Sequence, residues 1–116
     1  MQSYQLFIKI PNDVQLQIGK LGLFEFPAGI YAYTGSGRSN IDARIARHLS
    51  TDKKRQQWHI DYLLTCNQNE VINVVKSQVY ECDLNAQTKG KIVVRGFGSS
   101  DCLKRCGSHL KLICPR

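Results

Sequence analysis

Phe26-Pro27-Ala28-Gly29-Ile30-Tyr31-Ala32-Tyr33-Thr34-Gly35-Ser36-Gly37 is followed, from Ser39-Asn40, by Ile41-Asp42-Ala43-Arg44-Ile45-Ala46-Arg47-His48-Leu49. Gly29 to Gly35 reads as a strand that runs out into small residues. The period changes at Ser39-Asn40, both good helix caps. Ile41, Ile45 and Leu49 then recur every four residues, which predicts a helix over 41–49. A Gly/Ser-rich strand end feeding a helix suits phosphate, because small residues let the backbone approach closely and a helix start carries positive potential. Gly35-Ser36-Gly37 is not a Walker loop, since no Gly-Lys-Ser/Thr follows. An ordinary turn is the simpler account of it.

Upstream, Tyr4, Leu6, Ile8 and Ile10 alternate with Gln5, Phe7 and Lys9, the period of two expected of a strand. Pro11-Asn12-Asp13 is a turn signal, and Val14, Leu16 and Ile18 form a second strand, expected to close a hairpin with the first. Downstream, a helix is expected from Trp58 to Leu64, with Trp58, Tyr62 and Leu63 turned inward. Glu70 to Lys76 is apolar enough to predict a strand buried on both faces. A helix over Val79–Thr88, a short strand over Lys91–Arg95, a helical turn at Cys102–Cys106 and a strand at Leu110–Ile113 complete the reading. Residues 1–116 are thus expected to form one α+β domain, a small, mostly antiparallel sheet flanked by helices.

The chain is basic, with 16 Lys+Arg against 9 Asp+Glu, a formal net charge of +7. Positive charge can serve solubility alone. Its placement says more: Arg38, Arg44, Arg47, Lys53, Lys54 and Arg55 crowd residues 38–55 against only Asp42 and Asp52. A local field of one sign suits a polyanion such as nucleic acid. At 42% hydrophobic residues the chain is too apolar for a disordered polycation, and no run is long enough to span a membrane. Met1 to Leu6 lacks the charged and greasy regions of a signal peptide. Five cysteines in no regular framework then suggest reduced thiols in the cytoplasm, most of them packed in the core.

At about 100° per residue, Arg44 and His48 share a helix face beside Ile41 and Ile45. Arg suits a phosphate by its forked geometry, and His holds or transfers a proton near neutral pH. The plainer alternative is a rim arginine paired with Asp42 or Asp61, beside a capping histidine.

Tyr33-Thr34-Gly35, with Arg44 nine residues after the glycine and His48 four later, resembles the GIY-YIG nuclease superfamily. Its small stand-alone branch, the Uri-type endonucleases also found fused to endonuclease III-like proteins, is similar over nearly the whole chain. The similar segments are 26–36, Arg47-His48-Leu49, 58–64 (Trp-His-Ile-Asp-Tyr-Leu-Leu), 81–84 (Glu-Cys-Asp-Leu), 96–102 (Gly-Phe-Gly-Ser-Ser-Asp-Cys) and 108–110 (Ser-His-Leu). Although Gly29-Ile30-Tyr31 spells the first family motif, it shares a strand with Tyr33, and in the family the two tyrosines come from neighbouring strands. The resemblance therefore puts the first motif at Tyr4, separated from Tyr33 by a long inserted hairpin, with Gln2 where the family has glycine. Tyr31 is the alternative, pointing to the same sheet face as Tyr33.

The resemblance implies metal-dependent hydrolysis of phosphodiesters, of DNA sooner than RNA, by in-line attack of water. Tyr4 would orient or deprotonate the water with support from Tyr33, and Arg44 would hold the scissile phosphate. His48 matches a His/Tyr position, and His59 would assist the leaving group from the site's edge, with Asp61 orienting it or bracing the fold. Glu81 falls where the family places its one metal carboxylate, for Mg²⁺ or Mn²⁺. Its plainer role is an ion pair with a nearby basic residue. Gly35, Ser36, Arg38, Arg47, Lys53, Lys54 and Arg55 would meet the nucleic-acid backbone. The family asparagine that follows the metal glutamate has no counterpart, and Ser99, Ser100 or Asp101 are candidates for its task. A monomer or weak homodimer is expected, with no membrane partner.

Two other readings are open. Cys102, Cys106 and His109, with Cys82, would suit zinc, although Cys-x₃-Cys-x₂-His is off the usual finger spacings. A non-catalytic nucleic-acid-binding module on the same fold would need no carboxylate facing a polyanion, which makes Glu81 the discriminating residue.

Overall fold

The computed structural model describes residues 2–37, 40–50, 58–66, 68–98 and 106–115. Its element order is β1 (Ser3–Ile10), β2 (Val14–Ile18), a single 3₁₀ turn (Gly19–Leu21), β3 (Gly22–Phe26), β4 (Gly29–Ser36), α1 (Ile41–Leu49), α2 (His59–Leu64), β5 (Glu70–Ser77), α3 (Glu81–Gln87), β6 (Lys91–Ile92) and β7 (Leu110–Pro115). A Cα radius of gyration of 13.0 Å is that of a compact chain of this length, for which about 13 Å is expected. Among the described residues, no helix is long and apolar enough to cross a membrane.

The architecture is α+β. Five strands form one sheet in the order β5-β1-β4-β7-β6, and every described ladder in it is antiparallel. The alternation in β1 does what it predicts: Tyr4, Leu6, Ile8 and Ile10 are each at most 2% exposed. Opposite them on β4 stand Gly35, Tyr33, Tyr31 and Gly29, so both central strands present one continuous face to the core. Ile45, Ile60, Leu63 and Phe97 cover that face. On the other face Gln5 donates to Thr34 Oγ1 (3.1 Å) and to Thr88 Oγ1 (2.7 Å), tying the end of α3 to the sheet.

Four expectations are corrected. β1 does not form a hairpin with β2; it pairs with β4 and β5, while β2 and β3 make a separate two-stranded sheet. The turn at 11–13 redirects the chain without returning it, and the hairpin is the excursion between β1 and β4. Secondly, β5 is not covered on both faces. It is an edge strand with Ile72 and Val75 exposed, because at a sheet edge β-branched composition no longer implies burial. Thirdly, Leu49 is half exposed and His48 takes its place in the buried stripe, since position i+7 from Ile41 lies nearer that face than i+8. Finally, of the four described cysteines, Cys66, Cys82 and Cys106 are half-buried and Cys114 is exposed, so none is a core residue.

The helices fall close to their sequence positions: α1 as expected, α2 one residue later with Trp58 as its cap, and α3 shortened to Glu81–Gln87. β6 stops at Ile92, where the backbone leaves the ladder for a turn over 95–98. The expected turn at Cys102–Cys106 lies almost wholly outside the described residues.

Candidate active site

β1 and β4 carry two tyrosines to the same end of the central sheet. Tyr4 faces Gly35 across the ladder, and a Cβ on Gly35 would fall 2.4 Å from both Cζ and Oη of Tyr4. Glycine at 35 is therefore a packing requirement: the phenol lies flat over the strand where any side chain would stand. Its hydroxyl ends 2.7 Å from His48 Nε2. Both side chains are buried, and the rings meet at a 5.6 Å centroid distance.

His48 is the hub of an aromatic cluster. Tyr33 packs edge-on against it at 6.0 Å, Trp58 at 5.7 Å, and Phe97 lies 6.4 Å beyond Tyr33. Gly98, at φ +66°, brings its backbone against the Tyr33 ring. Burial pushes the Tyr4 hydroxyl up to about 12; Arg44 opposes this, while Glu81 and Asp61 reinforce it. Tyr33 is pushed further up, again chiefly by burial, then by Tyr4 and Glu81. Both phenols are thus protonated at neutral pH, and the Tyr4 hydroxyl can donate to His48 Nε2 in the tautomer that leaves this nitrogen without a proton.

Arg44 leans over this cluster from α1. Its Nη1 donates to the Ser36 carbonyl at 2.8 Å, and its guanidinium sits 5.6 Å from the Trp58 ring centre. The arginine is thus fixed at the mouth of the Gly35-Ser36-Gly37 strand end. Arg47 has a different commitment. It forks onto the fully buried Asp61 (Nη1–Oδ1 2.7 Å, Nη2–Oδ2 2.9 Å) and also lies over the Trp58 ring, 4.6 Å from its centre. Asp61 Oδ2 also accepts the Trp58 backbone N–H at 2.8 Å, which caps α2. Of Arg44 and Arg47, it is Arg47 that takes the aspartate.

Tyr31 belongs elsewhere. Its hydroxyl donates to the Pro27 carbonyl at 2.6 Å and its ring packs on Phe26, so the tyrosine that shares the His48 cluster with Tyr33 is Tyr4. His59 is also set apart. Its Nδ1 accepts the Gly98 N–H at 2.9 Å and its ring lies against Phe97, which stands between it and Tyr33. Burial holds its pKa below the ordinary histidine value. The imidazole is therefore neutral, with its proton on Nε2.

Glu81 opens α3, its side chain 28% exposed, with Oε2 3.3 Å from Nδ1 of the buried His109. Two carboxylates act on the tyrosine pair, Glu81 and Asp61, and Arg47 occupies the second. Glu81 therefore fits a hard cation that keeps most of its waters, as Mg²⁺ or Mn²⁺ does. Sequence reasoning missed Asn85, one helical turn on: a buried amide whose Nδ2 donates to the Ser108 carbonyl at 2.8 Å and locks α3 to the residue before His109. A polar residue on the inward face of a short helix was the available signal. Arg38, Lys53, Lys54, Arg55 and Cys102 lie outside the described residues, as do Ser99, Ser100 and Asp101.

A domain-family profile matches residues 3–115. The chain belongs to DUF123, a domain family of unknown function. No curated protein and no solved structure matches it. The site of this DUF123 domain therefore has to be read from its own chemistry.

Proposed function

We propose that this DUF123 domain is a metal-dependent endonuclease of GIY-YIG type, hydrolysing phosphodiester bonds of nucleic acid, DNA in preference to RNA. The observation that carries the reading is the Tyr4 Oη–His48 Nε2 contact at 2.7 Å, beside Tyr33 and under Arg44. A phenol at about 12 is a poor base alone, holding about one phenolate in 10⁵ at pH 7. Coupled to a neutral imidazole, it becomes one end of a relay. The attacking water gives a proton to Tyr4 Oη as Tyr4 gives its own to His48 Nε2, and the water oxygen bonds to phosphorus as the ester oxygen departs. That oxygen takes its proton from solvent, and the imidazolium returns its proton once product leaves.

Arg44 would bear on the phosphate through guanidinium N–H groups not directed at Ser36, with Trp58 holding the fork in place. Mg²⁺ or Mn²⁺ on Glu81 would neutralise charge on the phosphate oxygens. Gly35 and Ser36 form the floor beside it. The remaining positive charge steers the polyanion, and a reducing, cytoplasmic setting with the chain as a monomer or weak homodimer fits this work. The test is cleavage of labelled single- and double-stranded DNA and RNA with Mg²⁺ or Mn²⁺, beside Arg44→Ala and Glu81→Ala. Products are expected from the wild type and not from either variant, while binding survives. Binding by all three proteins with no cut products would instead make the chain a nucleic-acid-binding module.

A further inference from the structure

Next to the tyrosine cluster stands a second group of reactive side chains that the proposed hydrolysis does not use. Cys82, in the first turn of α3, and Cys106 and His109, from the segment leading into β7, each offer one donor atom, and the three atoms lie within 4.8 Å of one another. They come from two parts of the chain 24 to 27 residues apart in sequence, so their convergence is a product of the fold. We propose that Cys82, Cys106 and His109 form a site for zinc, which clamps α3 to the segment leading into β7.

The donor chemistry selects the metal. Two thiolates and an imidazole are soft to borderline ligands that favour Zn²⁺ over Mg²⁺, and a Cys₂His set leaves a tetrahedral cation one position for water or another donor. Around zinc, neighbouring donors stand about 3.3–3.8 Å apart, from bond lengths near 2.0–2.3 Å. The observed separation of up to 4.8 Å therefore needs a contraction on the order of 1 Å, within the reach of side-chain rotation.

Hydrogen bonds fix the backbone around these three residues. Gly107, at φ +81°, turns the chain between Cys106 and His109, and its carbonyl accepts the Gly96 N–H at 2.6 Å. His109 is held on both sides of its backbone: its N–H donates to Phe97 O (2.8 Å), and its carbonyl accepts the Thr34 N–H (2.9 Å). Asn85 fastens α3 to Ser108, and Lys111 Nζ donates to the carbonyls of Asn85 and Thr88. Glu81 Oε2 faces His109 Nδ1 at 3.3 Å. Nε2 is then the nitrogen assigned to zinc, which leaves Nδ1 facing a carboxylate, the kind of outer partner that orients a metal-bound imidazole.

This site is independent of the nuclease reading, because its readout is metal content and not cleavage. The experiment is elemental analysis of the full chain purified with zinc present, then chelation and titration with Co²⁺, followed by thiolate-to-cobalt charge-transfer absorption. About one zinc per chain and a tetrahedral cobalt spectrum are expected. Cys82→Ser and Cys106→Ser should each abolish the charge-transfer band or weaken binding by about tenfold or more, while Cys66→Ser and Cys114→Ser leave it unchanged. Should the first two variants fail to fold, the wild type decides by thiol labelling. At least two of its five cysteines should react only after chelation. A folded wild type that retains no zinc and gives no cobalt spectrum would overturn the proposal, as would a band that survives both substitutions or thiols equally reactive before and after chelation.

Discussion

Tyr4 and Gly35 are cross-strand partners, and the phenol of one occupies the space where a side chain of the other would be. Gly35→Ala puts a methyl group 2.4 Å from the ring, and the backbone ladder on both strands leaves neither partner an easy retreat. Overpacking of this kind costs about 1–3 kcal/mol. Displacement of Tyr4 also breaks its contact with His48. Gly35→Ala should therefore lose the proposed nuclease activity more completely than its loss of stability explains, measured as cleavage by protein shown folded by circular dichroism.

Tyr4→Phe removes one oxygen from the proposed relay and keeps the ring. Cleavage should fall by about 10²–10⁴-fold with nucleic-acid affinity unchanged, and His48→Asn should fall comparably. Because the two residues act as one unit, the double variant should be little worse than either single. Additive losses in single-turnover kinetics would show that they act separately.

Arg47→Ala strands the carboxylate of Asp61, which is fully buried and also caps α2. Losing one partner of such a pair costs about 3–5 kcal/mol. For a chain of this size that lowers Tm by on the order of 10 °C, readable by thermal melting. The more exposed Lys76–Asp42 pair should contribute little when Lys76→Ala is melted beside it.

Much of this framework is legible in the sequence, and the reasons for the failures are local. The β1 alternation and the spacing of Ile41 and Ile45 mark core faces because both periods report directly on burial. The partner of β1 is not legible, since Val14–Ile18 is as good a strand as Gly29–Ser36 and only the packed sheet chooses between them. Composition likewise could not say that β5 is an edge. At the site, the Arg44/His48 spacing is visible along one helix, but Arg47 and Asp61 meet across fourteen residues with no periodic signal. The nearness of His109 to Glu81 depends on β7 entering beside β4.

The buried tyrosines make the fold sensitive to base. A phenol whose folded pKa is raised is bound to its proton more tightly in the folded state, so its contribution is complete below the unfolded value near 10 and is lost above it. Between about pH 10 and 12, Tyr4 alone should withdraw about 2–3 kcal/mol, with Tyr31 and Tyr33 adding to the loss. His59 acts in the opposite direction. Its pKa is lowered in the folded state, so stability is full above its unfolded value near 6.5 and declines as pH falls below that. Denaturant melts across pH should show both limbs, with His59→Gln flattening the acid one and Tyr4→Phe the alkaline one.

The strand order β5-β1-β4-β7-β6 also governs when the site comes into being. Tyr4, Tyr33, His48, Glu81 and His109 arrive on five different segments, and β7 must reach its place beside β4 before His109 faces Glu81. Pairings so distant in sequence make folding slow, because loops have to close before their contacts repay the lost freedom. The two central strands can meet early, but the approach of His109 to Glu81 has to wait for β7. Recovery of cobalt binding at Cys82, Cys106 and His109 after dilution from denaturant is accordingly a clock for completion of the whole sheet, and it should lag any signal that reports only the β1–β4 ladder.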